Sequence, residues 1–210
     1  MSTQADGQQA GGVRAQRVDA RANRSRIMDA AEEVFSQGGE SASTEEVARL
    51  AGVGIGTVFR HFPTKATLLE AVLVHRFERL TEQADALLGD ADPGGAFRGF
   101  FGHLVADATA KIAIAEALLE AGGDHGGHHG DGDHDGGASR ASNALRRAVG
   151  ALLEQAQQAG AVRDDVELPE VYALLVATSR AAARARLDEE ARARLLAVVF
   201  DGLAPRTQQR

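Results

Sequence analysis

Two short amphipathic segments, joined by the tight turn Ala51-Gly52-Val53, constrain the fold of this chain more than any other feature. Ser43 and Glu46 form a capping-box pattern that predicts the start of the first helix. Gly52 suits the turn because glycine tolerates positive φ. The second segment runs from about Gly54 to Phe62 and ends at Pro63-Thr64, a helix stop followed by a new cap. This spacing is typical of a helix-turn-helix, although an ordinary helical hairpin also fits it.

The apolar residues of this region predict which helix faces are buried. A preceding helix, beginning near Arg21 and stopped by Gly38-Gly39, carries one apolar face. The expected buried stripes are Ile27, Ala30, Ala31, Val34 and Phe35 in that helix, Val47, Leu50 and Ala51 in the first short helix, and Val58, Phe59 and Phe62 in the second. The outer face of the second short helix is then left free, and such a face commonly enters a major groove of DNA.

The rest of the 210-residue chain is also helical in pattern. Only four prolines are present and strong helix formers dominate, so the composition favours an all-α fold. Further helices are expected at about 64–88, 96–110, 111–121, 145–160, 169 onward and 189–203. We expect a flexible arm over 1–20, a DNA-binding domain over 21–66 and a larger domain over 67–210. The latter contains a disordered Gly/His/Asp-rich loop at 122–137.

Composition and charge exclude several classes of protein. Cysteine is absent, which excludes disulfides and cysteine-ligated zinc, and no apolar run reaches the length of a membrane span. The sequence therefore predicts a cytoplasmic protein without membrane contact. The net charge of −7 lies wholly after residue 65, because residues 1–65 hold eight basic and eight acidic side chains. No motif of a known catalytic site is visible, so we expect no enzymatic activity and no cofactor.

The segment STEEVARLAGVGIGTVFRHFPTKATLLEAV, from Ser43 to Val72, resembles the N-terminal signature of the tetracycline-repressor (TetR) family. The resemblance implies an all-α fold of nine or ten helices. The first three would form a helix-turn-helix DNA-binding domain, and the fourth would link it to a helical body for ligand binding and dimerisation. It also implies a homodimer that binds double-stranded operator DNA and responds to an unknown small-molecule effector.

The same resemblance assigns the DNA contacts. The residues predicted to touch phosphates or bases are Thr44, Ile55, Gly56, Thr57, Arg60, His61 and Lys65. Two positions depart from the family pattern. Phe59 stands where tyrosine is usual, so its phosphate-binding hydroxyl is missing, and Gly54 replaces a small polar residue at the helix start. Lys65 begins a long helix, where a cation opposes the helix dipole, and a phosphate partner would offset that cost.

The resemblance also implies a ligand pocket enclosed by the middle helices, and aromatic residues are the best candidates for its wall. The predicted ligand-binding residues are Phe77, Phe100, His103, Leu104 and Asp107, with Phe97 and Phe101 beside them. Ordinary core packing is the alternative for the aromatic residues. His103 and Asp107 lie one helical turn apart. We expect them either to be polar groups of the pocket or to form an ion pair on the surface.

Two further features of the sequence each allow two interpretations. The penultimate helix is rich in small residues, which let another helix approach closely and suit a dimer interface. Burial within one subunit is the alternative. These small residues are Ala173, Ala177, Ala181, Ala182, Ala183 and Ala185. The loop at 122–137 contains His125, His128, His129 and His134. A metal-responsive regulator is thus the alternative function, but ordering so glycine-rich a loop is costly, and no metal site is predicted. The sequence favours a ligand-responsive repressor.

Overall fold

The computed structural model describes residues 22–37, 42–120 and 136–205. All regular structure in these ranges is α-helical, which confirms the predicted fold class. The helices are α1 (22–37), α2 (Thr44–Ala51), α3 (Ile55–His61), α4 (Lys65–Ala86), α5 (Pro93–Glu120), α6 (Gly137–Gln158), α7 (Leu168–Arg184) and α8 (Glu189–Leu203). None of these described helices combines the length and apolarity that a membrane span requires.

Three of the predictions concern residues outside the described ranges. They are the arm at 1–20, the helix stop at Gly38-Gly39 and the loop at 122–137, of which the structure describes only the last two residues. The four histidines of that loop therefore lie outside the described part of the chain. Within the described part, no three potential metal-ligating side chains come together.

Local sequence explains where the N-terminal helices begin. At the start of α2, Ser43 Oγ accepts a hydrogen bond from the backbone N–H of Glu46 at 3.1 Å, as the capping pattern predicts. At the start of α4, Thr64 and Thr67 cap each other reciprocally, each hydroxyl accepting from the other's backbone N–H at 3.1 Å. These caps fix where α2 and α4, the helices on either side of α3 in the chain, begin.

Helix α5 is one continuous helix from Pro93 to Glu120, so the predicted break between residues 110 and 111 is wrong. No glycine or proline lies near residues 110 and 111, so the sequence contains no residue there that would stop a helix. The start of α5 is fixed by Asp92, whose side chain accepts from the backbone N–H of Gly95 at 2.8 Å. Gly94 lies so close to Ala161 that an added Cβ would be 2.5 Å from the alanine methyl group.

The chain divides into two compact units, with boundaries inside α4 and α5. The N-terminal unit contains the residues up to Val72 and those of α5 from Ala113. Its core includes Ile27, Phe35, Val47, Val58 and Leu68, all fully buried. The predicted domain boundary, after residue 66, lies in the first turn of α4 and remains a prediction.

The second unit, which we call the body, contains Leu73–Ile112 and the described residues from Gly136 onward. Its core is built around Phe97 and Phe101, each 2% exposed. The Phe101 ring meets the edge of Phe200 with 5.5 Å between the ring centroids. Gly102 lies where α5 meets α8, and an added Cβ there would lie 3.4 Å from a methyl group of Leu196, an ordinary van der Waals distance. The body thus has a core of its own.

Candidate nucleic-acid interface

The turn between α2 and α3 depends on Gly52. This residue adopts a left-handed conformation with φ 66°, and its N–H reaches the carbonyl oxygens of Ala48 and Arg49. The N–H of Val53 closes the turn on Ala48 O at 3.0 Å. A residue with a Cβ would cost about 1–2 kcal/mol in this conformation. The turn therefore sets the direction in which α3 leaves α2, as the sequence predicts.

Two buried residues, Val58 and Phe62, fix the inner face of α3. They lie one helical turn apart and are 0% and 4% exposed. The guanidinium carbon of Arg24, on α1, lies 5.1 Å from the centroid of the Phe62 ring, and such a cation–π contact adds to the packing. Arg24 was not among the predicted site residues. Its contact holds the end of α3 against α1.

The outward residues of α3 form three pairs, each with the i, i+4 spacing that places side chains on one line of a helix. The pairs are Ile55 with Phe59, Gly56 with Arg60, and Thr57 with His61. We call the first pair the apolar strip and the last pair the polar strip. Ile55 and Arg60 are exposed, whereas Thr57 and His61 are half-buried. Because α3 has no acidic residue, this face suits a polyanion.

Two apolar residues are exposed where the sequence predicts burial. Phe59 is 44% and Leu50 is 43% exposed, so their assignment to buried stripes is wrong. A short helix has only one inner face, and in α3 that face is occupied by Val58 and Phe62. Phe59 follows Val58 by one residue and is therefore rotated about 100° away from the core.

Thr44 and Lys65 lie at helix starts in the N-terminal unit. Thr44 is buried there, and Lys65 contacts other residues of the unit. Thr44 is 8% exposed in the first turn of α2. The Lys65 ammonium donates to the carbonyl oxygen of Ala42 at 3.0 Å and lies 5.3 Å from the centroid of the Phe35 ring. The chain itself therefore supplies Lys65 with an acceptor and an aromatic ring, so a phosphate is not required to offset the helix dipole there. A phosphate contact by Lys65 remains a prediction.

In the body, the predicted ligand-binding residues differ in exposure, and their role in ligand binding remains a prediction. Phe77, Phe100 and Leu104 are buried, with 4%, 4% and 9% of their surface exposed. His103 is exposed, and its ring centroid lies 6.4 Å from that of Phe100. Asp107 is turned to a residue that the sequence analysis overlooked, Arg76 on α4. Of the two alternatives for His103 and Asp107, the surface ion pair is therefore replaced by the contact between Asp107 and Arg76.

Arg76 is a buried cation within the apolar stripe of α4. It is 4% exposed, and its Nε donates to Asp107 Oδ2 at 2.9 Å. A signal for it exists in the sequence, because Arg76 follows Val72 by four residues and Leu73 by three, which places it on the buried face. A charge at such a position requires a partner.

The last two helices expose apolar and small residues. On α7, Leu174 is 39% exposed and Ala173, Ala177 and Ala181 are exposed beside it. On α8, Val198 is 70% exposed, with Ala197 next to it. Of the alanines that the sequence predicts for a close helix contact, only Ala182 is buried, so burial within one subunit does not account for them.

Family models match both parts of the chain. The model described as "Bacterial regulatory proteins, tetR family" matches residues 27–72, which include all of α2 and α3. The model described as "Transcriptional regulator SbtR-like, C-terminal domain" matches residues 92–205, more than half of the chain. The chain belongs to the TetR family of transcriptional regulators. The recognition made from Ser43–Val72 is thereby confirmed, and α3 is the second helix of a TetR-family helix-turn-helix.

Solved TetR-family structures are similar over nearly the whole chain. A TetR regulatory protein from Mycobacterium vanbaalenii is 35% identical with a TM-score of 0.71, and the match covers 90% of this chain and 99% of that one. The regulator SCO0520 from Streptomyces coelicolor is 32% identical with a TM-score of 0.69, over 88% and 99%. The KstR repressor of Mycolicibacterium smegmatis is 34% identical over 48% of this chain. This match spans 50% of the length of KstR.

Proposed function

We propose that this TetR-family protein is a transcriptional repressor that binds a palindromic operator as a homodimer and releases it when a small molecule binds the body. The observation that carries the proposal is the outward face of α3. Val58 and Phe62 anchor the helix from within, while Ile55, Phe59 and Arg60 remain exposed. A helix held in this way can enter the major groove without losing its packing.

The exposed residues of α7 and α8 support a homodimer. Leu174 and Val198 are large apolar side chains in contact with water, and the alanines around them allow another helix to approach closely. We propose that the same two helices of a second copy cover them in a twofold interface. Two copies of α3 would then lie in successive major grooves, about 34–36 Å apart or slightly more, so the operator should be palindromic.

Release requires that the effector bind one conformation of the dimer better than another. Helix α4 is a suitable lever, because it begins in the N-terminal unit at Lys65 and continues into the body as far as Ala86. We propose that the effector contacts body residues near Phe77, Phe100 and Leu104. These side chains are now packed in the core, so binding would have to displace them.

Selection from random DNA duplexes tests the proposal. The purified protein should enrich a palindrome, and fluorescence anisotropy should then give its affinity. Arg60→Ala should weaken operator binding about tenfold or more, because an arginine contact to a base discriminates by about 1–3 kcal/mol. The control is Arg147→Ala, which removes an exposed arginine from α6 and should leave affinity unchanged. Enrichment of no common sequence would contradict operator binding.

Small molecules can be screened on the same complex. A compound that binds the body should raise the melting temperature of the free protein. If it is the effector, it should also lower operator affinity at the same concentration. Compounds that raise the melting temperature and leave the operator bound would argue against release by ligand.

A further inference from the structure

The apolar strip, Ile55 and Phe59, lies outside the buried core of the N-terminal unit. Both side chains are exposed, at 37% and 44%, although each is among the types most often buried. The inner face of α3 is already complete with Val58 and Phe62. These two large apolar residues lie one turn apart on an otherwise polar or glycine surface, where a contact with another molecule would bury them.

Gly56 lies between the two strips, and no contact within the chain explains why this residue is glycine. It is within a helix, and an added Cβ would meet nothing within 4 Å. Neither backbone conformation nor packing therefore requires glycine. In a helix, glycine is less favourable than alanine by about 1 kcal/mol. Bare backbone at this position permits the close approach of a surface from outside the protein.

We propose that the apolar strip reads the methyl groups of thymine in the operator. The inference rests on the proposed function and specifies its chemistry. Thymine alone among the four bases presents a methyl group in the major groove, and apolar side chains recognise it there. Ile55 and Phe59 cannot hydrogen bond to base edges, so the remaining base contacts of α3 fall to Arg60 and the polar strip. Bare backbone at Gly56 lets α3 approach the bases closely enough for methyl contact.

Replacing thymine by deoxyuridine in the selected operator tests this inference, because it removes only the methyl group. Each thymine is replaced in turn, in both half-sites together. At the contacted positions, wild-type affinity should fall about fourfold per methyl, or about sixteenfold per symmetric pair. Fourfold corresponds to about 0.8 kcal/mol, the value of one buried methylene-sized group.

Variants assign the effect to the strip. Ile55→Ala and Phe59→Ala should each bind the thymine operator more weakly and should each lose the deoxyuridine penalty at one position. Leu50→Ala is the matched control, because Leu50 is 43% exposed in the same unit but belongs to α2. It should retain the full penalty at every position.

The outcomes separate this inference from the proposed function. An enriched operator whose affinity changes less than twofold with every deoxyuridine would overturn methyl reading and leave operator binding intact. A penalty that persists unchanged in both Ile55→Ala and Phe59→Ala would overturn the assignment to the strip. If no operator is enriched, the proposed function and the inference fail together.

Discussion

Arg76 on α4 and Asp107 on α5 form a largely buried ion pair, in which the guanidinium contacts both carboxylate oxygens and the backbone oxygen of Asp107. The guanidinium Nε donates to Asp107 Oδ2 at 2.9 Å, and Nη2 donates to Oδ1 and, at 3.2 Å, to the backbone oxygen of the same residue. The side chain of Arg76 is 5% exposed and that of Asp107 is 20% exposed. The pair joins the two helices within the body.

Removing one partner of this pair should destabilise the protein more than removing both. Asp107→Ala removes the carboxylate that Arg76 contacts, and removal of one partner of a buried ion pair costs about 3–5 kcal/mol. We expect the lower end, because Asp107 retains some contact with water. The double variant Arg76→Met/Asp107→Leu should recover most of the loss. Urea denaturation at one fixed protein concentration gives the free energies of unfolding, and additive losses in the double variant would refute the prediction.

Gly56→Ala should stabilise the fold and weaken operator binding. The added methyl group meets nothing within 4 Å, and alanine is a better helix former by about 1 kcal/mol. The melting temperature should therefore rise, while the methyl group prevents close approach of α3 to the bases. Thermal denaturation and fluorescence anisotropy measure the two effects.

Gly94→Ala is the contrasting control. Its Cβ would lie 2.5 Å from the methyl group of Ala161, and such overpacking costs about 1–3 kcal/mol. The melting temperature should fall. A lower melting temperature for Gly56→Ala as well would show that Gly56 is required by the fold, contrary to the inference above.

Much of the fold could be predicted because its signals are local. The caps at Ser43 and Thr64 and the left-handed turn at Gly52 each depend on residues within a few positions. The continuity of α5 was missed because its apolar pattern weakens in the middle, and only the absence of glycine and proline indicates that the helix continues. Periodicity predicts a helix more reliably than it predicts where the helix ends.

The site could be predicted only in part, because its chemistry depends on contacts distant in sequence. Lys65 contacts Ala42, 23 positions away, and Arg76 contacts Asp107, 31 positions away. No local pattern specifies these partners. The exposure of Phe59 was missed for a related reason, since the choice between Val58 and Phe59 as the inner residue depends on how α1 and α2 pack against α3.

Lys65→Ala should affect both stability and the salt dependence of operator binding. Loss of the bond to Ala42 and of the contact with Phe35 should lower the free energy of unfolding by about 1 kcal/mol. The ammonium has three donors, so it can also bind a phosphate. In that case the slope of log affinity against log salt should decrease by about 1 for each copy in the dimer. An unchanged slope with reduced stability would assign Lys65 to the fold alone.

A charge at position 198 should separate the proposed dimer. Val198 is 70% exposed on α8, and the interface would bury it against a second copy. Val198→Glu places a carboxylate there, and an unpaired charge in an apolar interface costs several kcal/mol. Light scattering at micromolar concentration should then give the mass of a monomer, and operator affinity should fall sharply because only one α3 can bind at a time. Asn143→Glu, on an exposed position of α6, adds the same charge and should leave the dimer intact. A dimeric Val198→Glu with normal operator affinity would place the interface elsewhere.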